Sequence, residues 1–290
     1  MLVSSDVQSE PLFVALLLSA GYLLLAATDR PSSNLAVLGG ALLALAALTR
    51  SSALMLAPLL LAPLWDGRYP RRAKAHIAFS ALLGFGLALA PWTLRNALVF
   101  REFIVVNDGA GYVFYGRNSD AAIPLAGARD RAELERAADG LERVRLDRIL
   151  ALPEAVRSSP GRLSRALTSV AAAERLADPG GTVRLLAWKT WDWLRPYPDP
   201  RFWPRSAVLA VGAYMAALFL CAGIGFARAP RTGVSVFCLV LLAATMLFHV
   251  VLETNWRYRT ANWDPVLLLY SSYGAATLLA PRRRGAPAPA

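Results

Sequence analysis

Five charged side chains lie at the ends of apolar segments and are the residues best suited to bind an anion. They are Arg50, Arg95, Glu253, Arg257 and Arg259. A guanidinium group can donate two parallel hydrogen bonds to one phosphate. The carboxylate of Glu253 can orient a neighbouring arginine or accept a hydrogen bond from a sugar hydroxyl. We therefore expect these residues to hold the phosphate of a lipid-linked ligand.

Each arginine also has a purely structural interpretation. Arg50 could end its helix as an anchor whose cation reaches the membrane surface. Arg95 could form an ion pair with Glu102 or Asp108. The arginines at 257 and 259 could pair with lipid headgroups in a solvated loop. The sequence alone leaves these alternatives open.

A second set of candidates follows Arg95 and could contact a sugar or an acceptor. Its members are Asn96, Asn107, Gly109, Gly111, Tyr112 and Asn118. Glycines let backbone amides approach a sugar or a phosphate closely. A plain turn between two strands would have the same composition. Residues 103–106 and 112–115 are accordingly predicted to be short extended segments.

The composition indicates a membrane protein. The chain has 290 residues, of which 56% are hydrophobic, and its mean hydropathy is +0.41. These values exceed those of ordinary soluble domains. Much of the net charge of +11 lies in short arginine-rich connections, a pattern that orients helices in a bilayer rather than one that binds nucleic acid. Cys221 and Cys238 lie in apolar segments and are predicted to be buried thiols.

The predicted fold is an all-α integral membrane protein with about seven transmembrane helices and a small, mainly helical extracytoplasmic subdomain. A span needs enough apolar residues to cross a hydrocarbon core of about 30 Å. The candidate spans are 11–28, 34–48, 53–65, 76–94, 205–227, 233–252 and 265–280. Seven crossings place the basic connections on one side, which the positive-inside rule makes cytoplasmic. The predicted localisation is therefore the cytoplasmic membrane, with the large loop outside.

The predicted organisation has four parts. Residues 1–95 form a bundle of four spans, 96–204 an extracytoplasmic subdomain, 205–281 a bundle of three spans and 282–290 a disordered cytoplasmic tail. The helix before the subdomain is expected to loosen at Pro91, because proline lacks the amide that a helix interior needs.

Three helices are predicted within the subdomain. Apolar periodicity and flanking prolines indicate helices over 130–152 and 161–176. Residues 182–194 carry tryptophans interleaved with Arg184 and Lys189, which suits a helix lying in the headgroup layer. A helix packed on the subdomain by its aromatic face is the alternative.

No cofactor or metal site is predicted. His76 and His249 are isolated at span ends, and no nearby residues complete a metal-binding set. The chain contains no phosphate-binding loop and no nucleophile elbow. Neither histidine is assigned a catalytic role.

Short motifs along most of the chain resemble those of one membrane enzyme family. They are SEPLF at 9–13, LAALTR at 45–50, PWTLRN at 91–96, the glycine loop at 109–118, WK at 188–189, WLRP at 193–196 and RYR at 257–259. In this order they resemble the GT-C glycosyltransferases of the family 39 type, which include protein mannosyltransferases and aminoarabinose transferases and use polyprenyl-phosphate sugars.

The resemblance implies transfer of a sugar from a polyprenyl-phosphate carrier to a glycan, lipid or protein acceptor outside the cytoplasmic membrane. Arg50, Arg95, Arg257 and Arg259 would then stabilise the departing lipid phosphate. The family's catalytic carboxylate lies in a first external loop that has no counterpart here. No catalytic residue is therefore assigned, and the chain is expected to be the C-terminal portion of a longer protein or a mis-started reading frame, inactive alone.

Two other functions remain as alternatives. A non-catalytic membrane protein could bind an anionic lipid or pair with a separate catalytic chain. A transporter is disfavoured because the charges lie at span ends rather than inside the spans.

Overall fold

The computed structural model describes residues 10–65, 69–230, 233–252 and 263–279, and every regular element in these residues is helical. The longer helices are α1 (Glu10–Asp29), α2 (Ser33–Thr49), the 3-10 helix (Ser51–Trp65), α3 (Arg71–Phe100), α4 (Ala110–Asn118), α6 (Arg131–Ala151), α8 (Pro160–Ala177), α9 (Pro179–Leu194), α10 (Arg205–Arg228), α11 (Gly233–Val251) and α12 (Asp264–Leu279). The short elements are a 3-10 turn (Asp120–Ala122), α5 (Ile123–Gly127) and α7 (Glu154–Arg157). The helical class predicted from the sequence is confirmed for this part of the chain.

Three helices are long and apolar enough to cross a membrane. They are Pro11–Asp29 within α1, the whole of α3 and the whole of α10. Shorter apolar helices occupy Ser33–Thr49, Ser51–Leu61 and Phe237–Val251. Many leucines on the long helices point outward, among them Leu87, Leu209 and Leu220, each more than 60% exposed. Such surfaces suit a hydrocarbon environment, while the number of crossings stays a prediction.

The three helices predicted in the subdomain are confirmed, two of them to within one residue at each end, while the third begins at Pro179 rather than at 182. Helix α6 begins after Asp130, whose side chain accepts a hydrogen bond from the amide of Glu133. Helix α8 begins after Ser159, whose hydroxyl accepts one from the amide of Arg162. These residues act as N-caps and satisfy amides that lack a partner within the helix. Local sequence therefore sets both helix starts.

The two extended segments predicted in the subdomain are wrong. Residues 112–115 lie inside α4, and residues 103–106 form an irregular segment without strand partners. Gly111 explains the first error, because this residue serves a helix contact rather than a turn. A Cβ atom at Gly111 would lie 1.9 Å from the carbonyl oxygen of Ser164. The glycine therefore lets α4 pack directly on α8.

The expected loosening at Pro91 is also wrong, since α3 continues through this residue to Phe100. The chain then reverses at Arg101, which has a left-handed conformation with φ of 54°, and returns along α3. Trp92 Nε1 donates to the carbonyl of Val106 at 2.9 Å, and Thr93 Oγ1 donates to that of Val105 at 2.9 Å. These tertiary bonds hold the returning segment on the last turns of α3.

The apolar bundle has a continuous core of buried side chains. Phe13, Leu17, Leu43, Leu60 and Leu241 are each at most 2% exposed, and they bring α1, α2, the 3-10 helix and α11 together. Cys221 and Cys238 are both free, as predicted. Dense apolar packing of this kind fixes the relative positions of the helix ends that form the site.

Glycine pairs bring two helix crossings into backbone contact. Where α2 crosses α3, a Cβ at Gly40 would lie 1.9 Å from the Ala81 carbonyl oxygen, and one at Gly84 would lie 2.0 Å from that of Val37. Where α10 crosses α12, Gly225 and Gly274 make the same kind of approach. Small residues at helix crossings are typical of packing within a bilayer.

A charged loop follows α9 and joins the subdomain to α10. Asp199 accepts hydrogen bonds from Arg201 at 2.6–3.0 Å, and Arg195 lies 3.6 Å from the same carboxylate. Burial acts to raise the pKa of Asp199, but the bonds from Arg201 and the charge of Arg195 outweigh it and lower that pKa. At Asp192, burial raises the pKa and Arg195 offsets this only in part.

We expect Asp199→Asn to destabilise the protein by about 1 kcal/mol at pH 7, a value reduced for the partial exposure of the loop. Because the folded-state pKa of Asp199 is lowered, its contribution is fully present above the ordinary aspartate pKa of about 3.9 and is lost as the pH falls through the folded value. Thermal unfolding of both proteins in detergent between pH 7 and pH 3.5 measures this difference.

The exposed Asp147 on α6 provides the matched control. Asp147→Asn should shift the melting temperature little at any pH. A penalty for Asp199→Asn that does not shrink in acid would contradict the assignment of this carboxylate as a charged partner of Arg201.

Candidate functional site

A cleft opens where the end of α2, the start of α4 and the end of α11 meet. It consists of two adjoining compartments of about 360 Å³ each. The residues that line both are Ser51, Val106, Asn107, Ala110, Phe248 and Leu252. We call the compartment that contains Arg50 the polar compartment and the other the apolar compartment.

Arg50 reaches the polar compartment because it terminates α2. Its amide bonds the carbonyl of Ala46 at 2.8 Å, its own carbonyl accepts from the amide of Ala53 at 3.0 Å, and its backbone is extended between these two helices. The half-buried side chain lines the compartment beside Thr49 and Ser52. The break between two apolar helices therefore places a guanidinium and two hydroxyls on one wall.

The second wall is the segment that leads into α4. Asn107 lines both compartments, and its Nδ2 atom donates to Ser51 Oγ at 3.3 Å. Gly109 precedes α4 and has open space around the position of a Cβ. The first amides of α4 have no acceptor within the helix and carry its positive dipole end. Gly109 and Ala110 therefore present a partial positive charge to the cleft.

The third wall is the last turn of α11. Phe248, His249 and Leu252 line the polar compartment. The ring of His249 is 4% exposed and stacks on Trp193 of α9, with 4.8 Å between ring centroids and 15° between ring planes. Trp263 meets Trp193 edge-on at 5.9 Å. The aromatic contacts fix the histidine against the subdomain.

Two buried polar side chains hold the end of α11. Lys189 is 1% exposed, and its Nζ atom donates to Asn118 Oδ1 at 2.8 Å and to the Val251 carbonyl at 3.4 Å. Asn118 Nδ2 donates to the same Val251 carbonyl at 3.0 Å. A cation and an amide thus cap the negative end of the α11 dipole. Helices α4 and α9 thereby position the wall that carries His249.

The helix over 182–194 packs against α11 of the C-terminal bundle, rather than against the subdomain alone. Helix α9 buries Leu185, Lys189 and Trp193, whereas Trp191 is 56% exposed. Its place in a headgroup layer stays a prediction.

The structure brings three of the predicted site residues together in the cleft: Arg50, Asn107 and Gly109. Glu253, Arg257 and Arg259 lie outside the described residues. Leu252, which lines the cleft, is the last described residue before them.

The other predicted site residues do not line the cleft. Asn96 is 2% exposed and donates to the carbonyls of Ile104 and Val106, both at 3.1 Å. Gly111 serves the helix contact with Ser164, and Asn118 caps α11. Tyr112 is half exposed and lies under the guanidinium of Arg145, 3.5 Å from the ring centroid. These four residues have structural roles here.

Arg95 lies on the exposed face of α3. Its guanidinium is 5.4 Å from the Trp92 ring centroid and 5.6 Å from that of Phe100, and it donates to Asn96 Oδ1 at 3.1 Å. Glu102 instead accepts a hydrogen bond from Ser159 and lies 3.5 Å from Arg162. That hydrogen bond is the largest of the effects that lower the pKa of Glu102. Arg95 therefore stands apart from the cleft.

The polar compartment has a positive character. Arg50 supplies a cation to it, and none of its lining residues is acidic. Among the residues that the structure describes, no three His, Cys, Asp or Glu side chains come together as a metal site. The arrangement suits recognition of an anion by a guanidinium, hydroxyls and helix amides.

Comparisons with known proteins leave the family open. No protein-family model, curated protein or solved structure matches the chain significantly. The chemistry of the cleft is therefore the basis for a functional assignment.

Sequence reasoning missed two residues of this region. His249 is isolated in the sequence, and Lys189 was interpreted as a surface cation. Their partners are distant along the chain. His249 stacks on Trp193, and Lys189 donates to Asn118 and to the carbonyl of Val251. The sequence contains one signal for His249: it is a polar residue in the last turn of an apolar segment, shortly before Glu253.

Proposed function

We propose that the protein is a membrane glycosyltransferase, or the C-terminal part of one, that takes a sugar from a polyprenyl-phosphate carrier. The observation that carries this proposal is the placement of Arg50 at the ends of apolar helices, in a compartment whose lining residues include no acid. The proposal includes a cytoplasmic-membrane location, about seven spans and an extracytoplasmic subdomain. The acceptor is a glycan, a lipid or a protein.

The polar compartment suits the phosphate of the carrier. The guanidinium of Arg50 can bind two phosphate oxygens, and the amides of Gly109 and Ala110 at the start of α4 add donors. Both interactions strengthen as the phosphate gains charge, which happens when the bond between sugar and phosphate breaks. The cleft thus stabilises the leaving group of a glycosyl transfer.

The apolar compartment suits the adjoining hydrocarbon. Its lining includes Leu54, Met55, Phe103, Ile104 and Val105, together with the polar residues Asp108, Ser164 and Arg165. Phe103 is 80% exposed and lies at the rim of this compartment on the segment that returns along α3. A prenyl chain entering beside Phe103 would bury apolar surface at roughly 25 cal/mol per Å².

We expect Arg50→Ala to weaken binding of farnesyl phosphate to the full chain in detergent by at least about tenfold, the effect of losing one charge-assisted contact. Isothermal titration calorimetry measures the affinity, with farnesol as the uncharged comparison ligand.

Arg143→Ala is the matched control, because Arg143 is an exposed arginine on α6. This variant should bind farnesyl phosphate like the unmodified protein. Equal affinity for farnesyl phosphate and farnesol, or full affinity in Arg50→Ala, would refute the phosphate site.

A non-catalytic lipid-binding protein is the second candidate. It is favoured by the polar compartment's lack of any acidic lining residue, since an acceptor hydroxyl needs a base. Binding of farnesyl phosphate without sugar release from any tested carrier, in the presence of added acceptors, would select this function over transfer.

A further inference from the structure

We propose that His249 is the second anion ligand of the cleft, and that its protonated imidazole binds the lipid phosphate opposite Arg50. This inference rests on the proposed function of the polar compartment. It adds a pH-dependent contact on a wall that α9 and α4 hold in place.

The geometry places His249 where it can meet a ligand held by Arg50. Both side chains line the polar compartment, Arg50 from the end of α2 and His249 from the last turn of α11. Ser51 and Asn107 line the same compartment and are joined by a hydrogen bond of 3.3 Å. A phosphate bridging the two cations would replace solvent in a compartment of about 360 Å³.

The position of the imidazole is well defined by its neighbours. Trp193 stacks on one face of the ring, and Phe248 meets the ring edge-on at 5.2 Å. Lys189 and Asn118 fix the carbonyl of Val251 two residues further along α11. A ring held on this many sides loses little further conformational freedom when it binds a ligand.

Several charged side chains lie on the elements around His249. Arg50 lines the same compartment, and Lys189 bonds the carbonyl of Val251 at the end of α11. The others described on α4, α9 and α12 are Arg117, Arg184, Asp192 and Asp264, and Asp108 lines the adjoining compartment.

An entering phosphate changes the electrostatic environment of the imidazole. Its negative charge offsets that of Arg50 and provides an acceptor for an imidazolium donor. Protonation of His249 and phosphate binding should therefore favour each other, because linkage is reciprocal. The cleft would bind a lipid phosphate more tightly as the pH falls through the range in which histidine titrates.

The test measures farnesyl phosphate binding to the full chain in detergent between pH 5.5 and pH 8.5. Phosphate monoesters titrate in the same range, so affinities are compared between variants at each pH and the ligand's own titration cancels. We expect His249→Gln to weaken binding about tenfold at pH 6 and less than about twofold at pH 8.5. His249→Phe, which preserves an aromatic ring beside Trp193, should give the same pattern.

The chain has two histidines, and His76 provides the control. His76 is exposed on α3 outside the cleft, so His76→Gln should follow the unmodified protein at every pH. A His249→Gln effect that is constant with pH, or an effect equal to that of His76→Gln, would overturn the inference. Failure of the unmodified protein to prefer farnesyl phosphate over farnesol would instead refute the proposed function itself.

Discussion

Replacing Gly84 by alanine should lower the free energy of unfolding by about 3 kcal/mol. The new Cβ would lie 2.0 Å from the carbonyl oxygen of Val37 and 2.8 Å from its Cα atom. Both are backbone atoms, so no side-chain rotation can relieve the clash, and α2 must move away from α3. Because α2 also carries Arg50, the variant should lose farnesyl phosphate binding together with stability.

Gly86 provides a matched control on the same helix. A Cβ at this position would meet nothing within 4 Å. Gly86→Ala should therefore be neutral or stabilising, by at most about 1 kcal/mol, because alanine favours the helix over glycine. Thermal unfolding in detergent compares the two variants. Equal melting temperatures for Gly84→Ala and Gly86→Ala would show that α2 and α3 do not approach as closely as described.

Asn118→Ala should destabilise the protein by about 3 kcal/mol. The substitution removes the amide that donates to Val251 and the oxygen that accepts from Lys189. A buried ammonium then has one acceptor fewer in a place that water cannot easily reach, which costs more than an ordinary lost hydrogen bond. The end of α11 also loses part of its cap.

Two further variants test whether the loss of stability comes from the buried ammonium of Lys189 rather than from shortening an asparagine side chain. Asn107→Ala, at an exposed asparagine, should change stability by no more than about 0.5 kcal/mol. The double variant Asn118→Leu with Lys189→Met removes both partners and should cost less than Asn118→Ala alone. A double variant that is less stable than Asn118→Ala would show that the ammonium of Lys189 does not require the Asn118 oxygen.

Local patterns predicted the subdomain helices well. The starts of α6 and α8 follow from Asp130 and Ser159, whose side chains act on amides only three residues away. Such signals need no knowledge of the rest of the fold. Apolar runs likewise indicated helices long enough to cross a membrane, of which three are present among the described residues.

The errors arose where distant residues decide the structure. Gly111 suggested a turn, but its lack of a side chain allows close contact with Ser164, 53 residues later in the chain. Pro91 suggested a loosened helix, but α3 continues through it, and the bonds of Trp92 and Thr93 to the returning segment support this part of the helix. Composition alone cannot distinguish a glycine needed for a turn from one needed for a close approach.

The candidate site was predicted only in part. Arg50 was found because a charge between two apolar runs is conspicuous in a sequence. His249 and Lys189 were not, because their environments depend on contacts with Trp193 and Asn118 across separate helices. The predicted cluster of Glu253, Arg257 and Arg259 lies outside the described residues and stays a prediction.

The bond from Asn118 to Val251 joins residues 133 positions apart, and this separation dictates an order of assembly. During synthesis α4 and α9 emerge long before the ribosome has completed α11. Until α11 arrives, Lys189 and Asn118 lack the carbonyl of Val251, and the third wall of the cleft does not exist. The cleft is therefore among the last parts of the protein to form.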